Sequence, residues 1–414
     1  MRTIADRIET LPFTRLSMKP REPNPSLDAL RLAARMADIE PFHVMEIQRR
    51  ALELEAAGRR IVHMEIGQPD FPAPQPVIDA AIAALKRDPM GYAASLGLPA
   101  LRAAIARFYG ERYGLDVDPR RVIVTAGASG AFIITLGALI DPGDEVLMPD
   151  PCYPCNRHFV RMFEGAARTV PVDERTHYQL GLAEVQAHWG PRTRGVLLAS
   201  PSNPTGTIVP TDALAAIIDW VHGREGFVLV DEIYHELVYG APLPTALALS
   251  DEVFLVNSFS KYFNMTGWRL GWIVAPERYV RGLERLAQNA FICAPVPSQH
   301  AALAAFAPET IAILEERRLE FQRRRDFLVP ALRDLGFRVP IMPEGAFYIY
   351  ADSERFGSDS HALAHRVIEE AGVAITPGID FGANRPEWHV RFAYTRAMDE
   401  LREGVERLRG MLAG

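Results

Sequence analysis

Short apolar runs rich in β-branched residues recur along the chain at 61–66, 122–125, 145–148, 195–199, 227–230, 253–257 and 270–274. Their length and composition predict strands buried on both faces. Between them, apolar residues return every three or four positions, as in Leu98, Leu101, Ile105 and Phe108 or Leu214, Ile217, Ile218 and Val221, the spacing of amphipathic helices. Strands alternating with helices predict an α/β fold whose mostly parallel sheet is covered by helices on both faces. Turns at Asp141-Pro142-Gly143-Asp144 and Pro204-Thr205-Gly206 punctuate it.

Beyond Gln299 the pattern changes. A long charged helix over 309–328, extending past Pro330, leads to short strands at 346–350 and 388–394 and a helix at 360–371. These predict a smaller α+β domain, to which helical spacing from Leu27 to Gly58, broken at Pro41, returns. The expected organisation is an N-terminal arm over 1–26, a small domain from 27–60 and 299–414, and a large domain over 61–298.

With 414 residues the chain exceeds a single compact core, and its 52 acidic against 45 basic side chains leave no positive surplus for nucleic acid. The longest apolar run, 131–140, is too short to span a bilayer, and the N-terminus carries no evident secretory or organellar address. Cys152, Cys155 and Cys293 fit a reducing compartment, so a cytoplasmic protein without a membrane or nucleic-acid partner is expected. The Cys152 and Cys155 spacing matches a redox or zinc motif but lacks two further ligands. It reads as two small apolar residues beside a turn, and no metal is expected.

The basic residues are unevenly chosen. Only Lys19, Lys86 and Lys261 are lysines, and Lys261 follows a buried-looking strand. Arginine stays protonated almost everywhere, whereas a desolvated lysine can lose its proton and attack a carbonyl. In an open parallel sheet ligands bind beyond the carboxyl ends of the strands, which makes the neighbouring strand ends the places to inspect. They carry Ala126-Gly127-Ala128-Ser129-Gly130, Pro201-Ser202-Asn203-Pro204-Thr205-Gly206, Asp231-Glu232-Ile233-Tyr234 and Ser258-Phe259-Ser260-Lys261, with Arg269 eight residues later.

Asn203, Asp231, Tyr234, Lys261 and Arg269, in this order and context, resemble the fold type I pyridoxal-phosphate enzymes, specifically the class I aminotransferases that include aspartate aminotransferase. The resemblance runs from about Leu27 to the C-terminus. It includes Gly67-Gln68-Pro69-Asp70-Phe71-Pro72, Gly91-Tyr92, Gly97, Leu101-Arg102, Pro149 through Pro154, Gly345-Ala346-Phe347-Tyr348 and Arg391. It implies pyridoxal 5'-phosphate held as a Schiff base on Lys261, whose free amine then moves a proton from the substrate Cα. Asp231 would pair with the pyridine nitrogen, although it could instead cap the next helix. Tyr234 and Asn203 would donate to the ring's phenolic oxygen, or serve turn chemistry.

Ala128 and Ser129, at a helix start, would receive the phosphate together with Ser258 and Arg269. Tyr153 would stack on the ring, where core packing is the plainer reading. Tyr92 would reach the phosphate of a neighbouring subunit, implying a homodimer with shared sites. Strand alternation leaves Arg391 opposite Trp388, Val390, Phe392 and Tyr394, and the resemblance makes it the clamp for the α-carboxylate, helped by Gly67 and Asn203.

The implied reaction moves an amino group from an L-amino acid to a 2-oxo acid such as 2-oxoglutarate. A nicotinamide dehydrogenase lacks the full glycine fingerprint here and leaves Lys261 unexplained. A fold of this kind kept for DNA binding needs an added domain for which the segment before Leu27 is too short. A carbon–sulfur lyase shares the same catalytic groups and stays open. Resemblance favours aspartate or glutamate as donor, but Ser129 stands at the helix-opening turn and 286–299 holds no arginine or lysine, so a broader range with neutral or aromatic donors is expected.

Overall fold

A computed structural model describes residues 31–412; the arm expected over 1–26 lies outside them. Ala34–Asp38 forms a short 3-10 helix in a unit ending at Ile39, and the chain from Glu40 onward forms one compact unit. Within that unit the strands are β1 (Val62–His63), β2 (Val122–Thr125), β3 (Glu145–Asp150), β4 (Ala166–Pro171), β5 (Thr193–Ala199) and β6 (Phe227–Asp231). They continue with β7 (Phe254–Ser258), β8 (Gly271–Val274), β9 (Tyr348–Asp352), β10 (Val373–Ala374), β11 (Thr376–Pro377) and β12 (His389–Ala393).

Seven strands form the main sheet in the order β2-β8-β7-β6-β5-β3-β4. Only β8 runs against its neighbours β2 and β7; every other pairing is parallel. The consequence is geometric. β2 through β7 all end at one edge, and because Gly271 pairs with both Thr125 and Ser258, the residues just before β8 arrive at that edge too. Strands β2, β3, β6, β7 and β8 are buried along their whole length, as their unbroken apolar runs require.

Two sequence expectations change. The 61–66 run joins no strand of the main sheet: only Val62–His63 is extended, and it pairs in parallel with β10 far downstream. The amides of Val62 and Met64 donate to Gly372 and Ala374, while Gly404 lies close enough to Met64 that a Cβ there would meet its Cε at 2.3 Å. Periodicity reports that such a run is buried, not which strand it meets. Strand β4 was not expected, because it is the sheet's edge and mostly accessible, with Arg168 and Pro171 in it.

A second, antiparallel sheet has the order β11-β12-β9. The helix Pro308–Leu335 continues through Pro330, and Ser360–Arg366 extends into a π turn over Val367–Ala371. Among the described residues no helix is long and apolar enough to cross a membrane.

Candidate active site

The common strand edge opens into a cavity of about 350 Å³. Of the residues singled out in the sequence, Gly67, Ala128, Ser129, Tyr153, Asn203, Asp231, Tyr234, Lys261, Arg269 and Arg391 all line it. Ser258 and Tyr92 do not.

One end is an anion cradle. The helix Gly127–Leu139 begins after Ala126, which offers no side-chain cap, so its first amides face the cavity without an acceptor from that residue. Gly127 sits at φ +71, and a Cβ on it would lie 2.6 Å from Nη2 of Arg269; a Cβ on Gly271 would lie 2.8 Å from the Ala128 nitrogen. Glycine at both positions lets the guanidinium and the helix start approach each other. Arg269 Nη1 lies 3.4 Å from Ser260 Oγ and 3.0 Å from the Thr266 carbonyl. Ser258 stands behind this group, its Oγ 3.0 Å from both Ser260 Oγ and the Leu270 carbonyl. Of these two serines it is therefore Ser260 that lines the cavity, which the sequence reading passed over.

Lys261 and Asp231 occupy the middle. Lys261 is half-buried, and its Nζ donates to the Gly67 carbonyl at 2.7 Å. Burial, reinforced by the charges of Arg391 and Arg269 and opposed by Asp231, pushes its pKa down to about 8, so roughly a tenth is free amine at pH 7 and half at pH 8. Asp231 is 5% exposed, and burial pushes its carboxyl up to about 7. One oxygen accepts from the Ile233 amide at 3.1 Å, so the local turn role coexists with a place in the cavity wall. A buried carboxylate that pairs with no cation among the described residues is poised to receive one.

The far end is assembled from both termini of the compact unit. Arg391 on β12 is 6% exposed and donates from Nη1 to Asn203 Oδ1 at 2.9 Å and from Nη2 to Thr376 Oγ1 at 3.2 Å and to the Glu65 carbonyl. Its Nε is buried without a partner among the described residues. Since Asn203 uses Oδ1 on Arg391, its NH₂ remains available as a donor. The guanidinium lies 4.3 Å from the Tyr348 ring centre, and Tyr348 in turn shares a 2.8 Å hydroxyl contact with Tyr234. Tyr153, beside the ring of Phe42 at 6.3 Å, closes the side.

Sequence reasoning missed several lining residues here: Phe42, Val44, Met45, Glu65, Thr376, Asp380 and Phe381. Asp380 accepts the amides of His43 and Val44 at 2.7 and 2.9 Å, capping the helix His43–Ala56 from far along the chain. Glu65 is fully buried, one oxygen 2.7 Å from His63 Nδ1 and the other without a partner among the described residues. No short-range motif signals these residues.

Tyr92 is 83% exposed and outside the cavity of its own chain. The cavity otherwise fits a phosphorylated pyridine aldehyde: uncapped amides with a guanidinium for the phosphate, an amine of lowered pKa for the aldehyde, and a buried carboxylate for a ring cation.

A family model described as aminotransferase class I and II matches residues 59–408. The valine–pyruvate aminotransferase of Mycobacterium tuberculosis is 40% identical over 374 residues, 90% of this chain and 96% of that protein. The crystal structure of an aminotransferase from Mycobacterium tuberculosis superposes with a TM-score of 0.89 at 40% identity, covering 93% of this chain and 99% of the other. Aspartate aminotransferase from Thermus thermophilus with maleate gives a TM-score of 0.87 at 31% identity, over 92% and 99%.

Proposed function

From the premise that this chain belongs to the class I and II aminotransferases, enzymes that depend on pyridoxal phosphate, we propose that it transfers the amino group of a neutral, aliphatic L-amino acid of the valine type to a small 2-oxo acid such as pyruvate. The observation that carries the substrate reading is the cavity's far wall. Phe42, Val44, Met45 and Phe381 make it apolar, and among the described residues the only cations lining the cavity are Lys261, Arg269 and Arg391. The carboxylates of Glu65 and Asp380 border the same end. An acidic donor would need a further cation and would face those carboxylates. The similarity to a valine–pyruvate aminotransferase supports the same choice over the aspartate or 2-oxoglutarate pairing.

When bound, pyridoxal phosphate supplies an aldehyde that takes up the amino group and a ring that withdraws electrons from the substrate Cα. The chain's own groups divide the remaining work. The Gly127 helix amides, Ser260 and Arg269 bind the phosphate, with Ser258 supporting Ser260 from behind. Asp231 holds positive charge at the pyridine nitrogen, while Asn203 and Tyr234 donate to the phenolic oxygen and Tyr153 packs on the ring. Arg391, with its unpartnered Nε, binds the α-carboxylate and thereby fixes the Cα–H bond within reach of Lys261. Lys261 Nζ, its pKa lowered to about 8, takes the Cα proton in its free-amine form and holds it as an ammonium. Gly67 keeps its carbonyl on Nζ, and its lack of a side chain makes room for Tyr348, whose hydroxyl would otherwise lie 1.7 Å from a Cβ.

Tyr92, exposed to 83%, supports a homodimer in which it completes the phosphate site of the partner. Three free thiols support a reducing, cytoplasmic setting. The separate sheets support a large cofactor domain and a smaller one, and the pairing of β1 with β10 favours drawing the first boundary near residue 66 instead of 60.

A half-reaction screen tests the substrate reading: the cofactor's visible band is followed as each amino acid converts aldehyde to amine. Valine, alanine and leucine are expected to react roughly 10²-fold or more faster than aspartate at equal concentration. Faster conversion by aspartate would overturn it. Mixing inactive Tyr92→Ala and Lys261→Ala subunits tests the dimer, since verified hybrids should regain activity at one of two sites.

A further inference from the structure

Outside the cavity, two helices bring imidazoles around one carboxylate. His43 and Glu46 stand three residues apart in the first turn of the helix His43–Ala56, hence on one face. His361 and His365 are one turn apart in the helix Ser360–Arg366. One donor atom from each of His43, Glu46 and His361 lies within 4.8 Å of the other two. Glu46 Oε2 is 3.3 Å from His361 Nε2, and its Oε1 is 3.6 Å from His365 Nε2. The rings of His43 and His361 are 5.7 Å apart, and those of His361 and His365 are 4.6 Å apart. All four side chains are half-buried, so the group is sheltered yet reachable from solvent.

A surface ion pair between Glu46 and one histidine explains less than this arrangement contains. Imidazole nitrogens from two helices gathered around one carboxylate are the donor set that suits zinc and its neighbours in the first transition row. The backbones that carry the donors are already pinned. Asp380 takes the amides of His43 and Val44, and Asp359 takes those of His361 and Ala362 at 3.0 and 2.9 Å. Pinned backbones lower the ordering cost of binding an ion.

We propose that His43, Glu46 and His361 bind one divalent transition-metal ion of the zinc class, with His365 able to serve as fourth ligand. The site is independent of the substrate reading, but it has a consequence for the cavity. Phe42, Val44 and Met45, adjacent to His43, line the apolar wall, so an ion that ties the start of this helix to His361 fixes that wall in place.

The test is calorimetric titration of Zn²⁺ into the holoenzyme after chelator treatment. One Zn²⁺ per chain is expected, and His361→Ala and Glu46→Gln should each weaken binding by at least about tenfold while leaving metal-free circular dichroism and turnover unchanged. His43→Gln, on the other helix, gives the same reading if His361→Ala does not fold. Zn²⁺ should raise the melting temperature of the wild type and not of the variants. A Cys152→Ala, Cys155→Ala variant must retain the site. Absence of saturable binding, binding that survives substitution of the histidines, or binding lost with the cysteines would each overturn the proposal.

Discussion

The two ends of the cavity are built in different ways. The anion cradle comes from strand ends that are neighbours in one sheet: Gly127 to Ser129 follow β2, Ser260 follows β7, and Arg269 precedes β8, which pairs with both. The carboxylate end draws Phe42, Val44 and Met45 from before β1, Glu65 to Gly67 from after it, Thr376 from β11 and Arg391 from β12. The first is held by backbone geometry, with glycines at Gly127 and Gly271 that admit no Cβ. The second is held by side chains across distant segments, such as Arg391 on Asn203 and Asp380 on the His43 helix. Rigid binding of an invariant cofactor and adjustable binding of a substrate side chain call for these two constructions.

The centre, shared by both ends, should show the largest effects. Lys261→Arg should lose on the order of 10⁴-fold or more in turnover, because a guanidinium neither reacts with an aldehyde nor gives up a proton near neutral pH. Borohydride treatment of the wild-type holoenzyme should leave its adduct on Lys261. Peptide mapping to Lys86 or Lys19 would remove the centre from the cavity altogether.

Asp231→Asn should lower turnover by about 10²- to 10³-fold, since an amide cannot hold a charge on the ring nitrogen. The same substitution should help the cofactor-free protein. Its folded pKa of about 7 lies above the unfolded 3.8, so the native state binds the extra proton and stability falls as pH rises across that window. At pH 8 the cost has been incurred, and Asp231→Asn should raise apoenzyme stability by on the order of 3 kcal/mol, with little gain at pH 4. Denaturant melts at the two pH values check this. An apoenzyme stabilised equally at both would mean that burial of charge is not what Asp231 costs.

Arg391→Ala tests the carboxylate end. On the proposed role it removes the cation that meets every donor's carboxylate, so kcat/KM should fall by about 10²-fold for valine, alanine and phenylalanine alike, the scale of losing one buried charge-assisted pair. Cofactor affinity, which belongs to the other end, should change little. Loss of cofactor along with substrate would show that the two ends are not separable.

The same difference decided what the chain disclosed before folding. The inner strands of the main sheet carry buried apolar runs, and the carboxyl ends of three of them lead to Asn203, Asp231 and Lys261 in a fixed order, so the cradle and the centre were legible. Ser260 was passed over because Ser258 and Ser260 stand two apart with their hydroxyls 3.0 Å from each other, and only the three-dimensional bend of the chain beyond β7 says which one reaches the cavity. Asp380 and Glu65 were invisible for a stronger reason. A capping carboxylate normally sits beside its helix in sequence, and the cap on His43 comes from beyond β11. Strand β1 was misplaced by the same token, since its partner β10 is a two-residue segment with no pattern of its own.

The smallest effect expected is at Val44. Its amide is held by Asp380, so Val44→Ala keeps the backbone bond and removes only methyl groups from the cavity wall. Space should open for longer side chains without touching Arg391 or Lys261. Leucine and phenylalanine should therefore gain relative to valine by about threefold to tenfold in kcat/KM, while alanine, too short to reach the wall, stays within about twofold, as a methylene or two in an apolar pocket is worth roughly 1–3 kcal/mol at most. Steady-state kinetics on the four donors decides it. A uniform change across all of them would mean that Val44 acts by positioning the His43 helix and through it Arg391, and the substrate end would then be as rigid as the cradle.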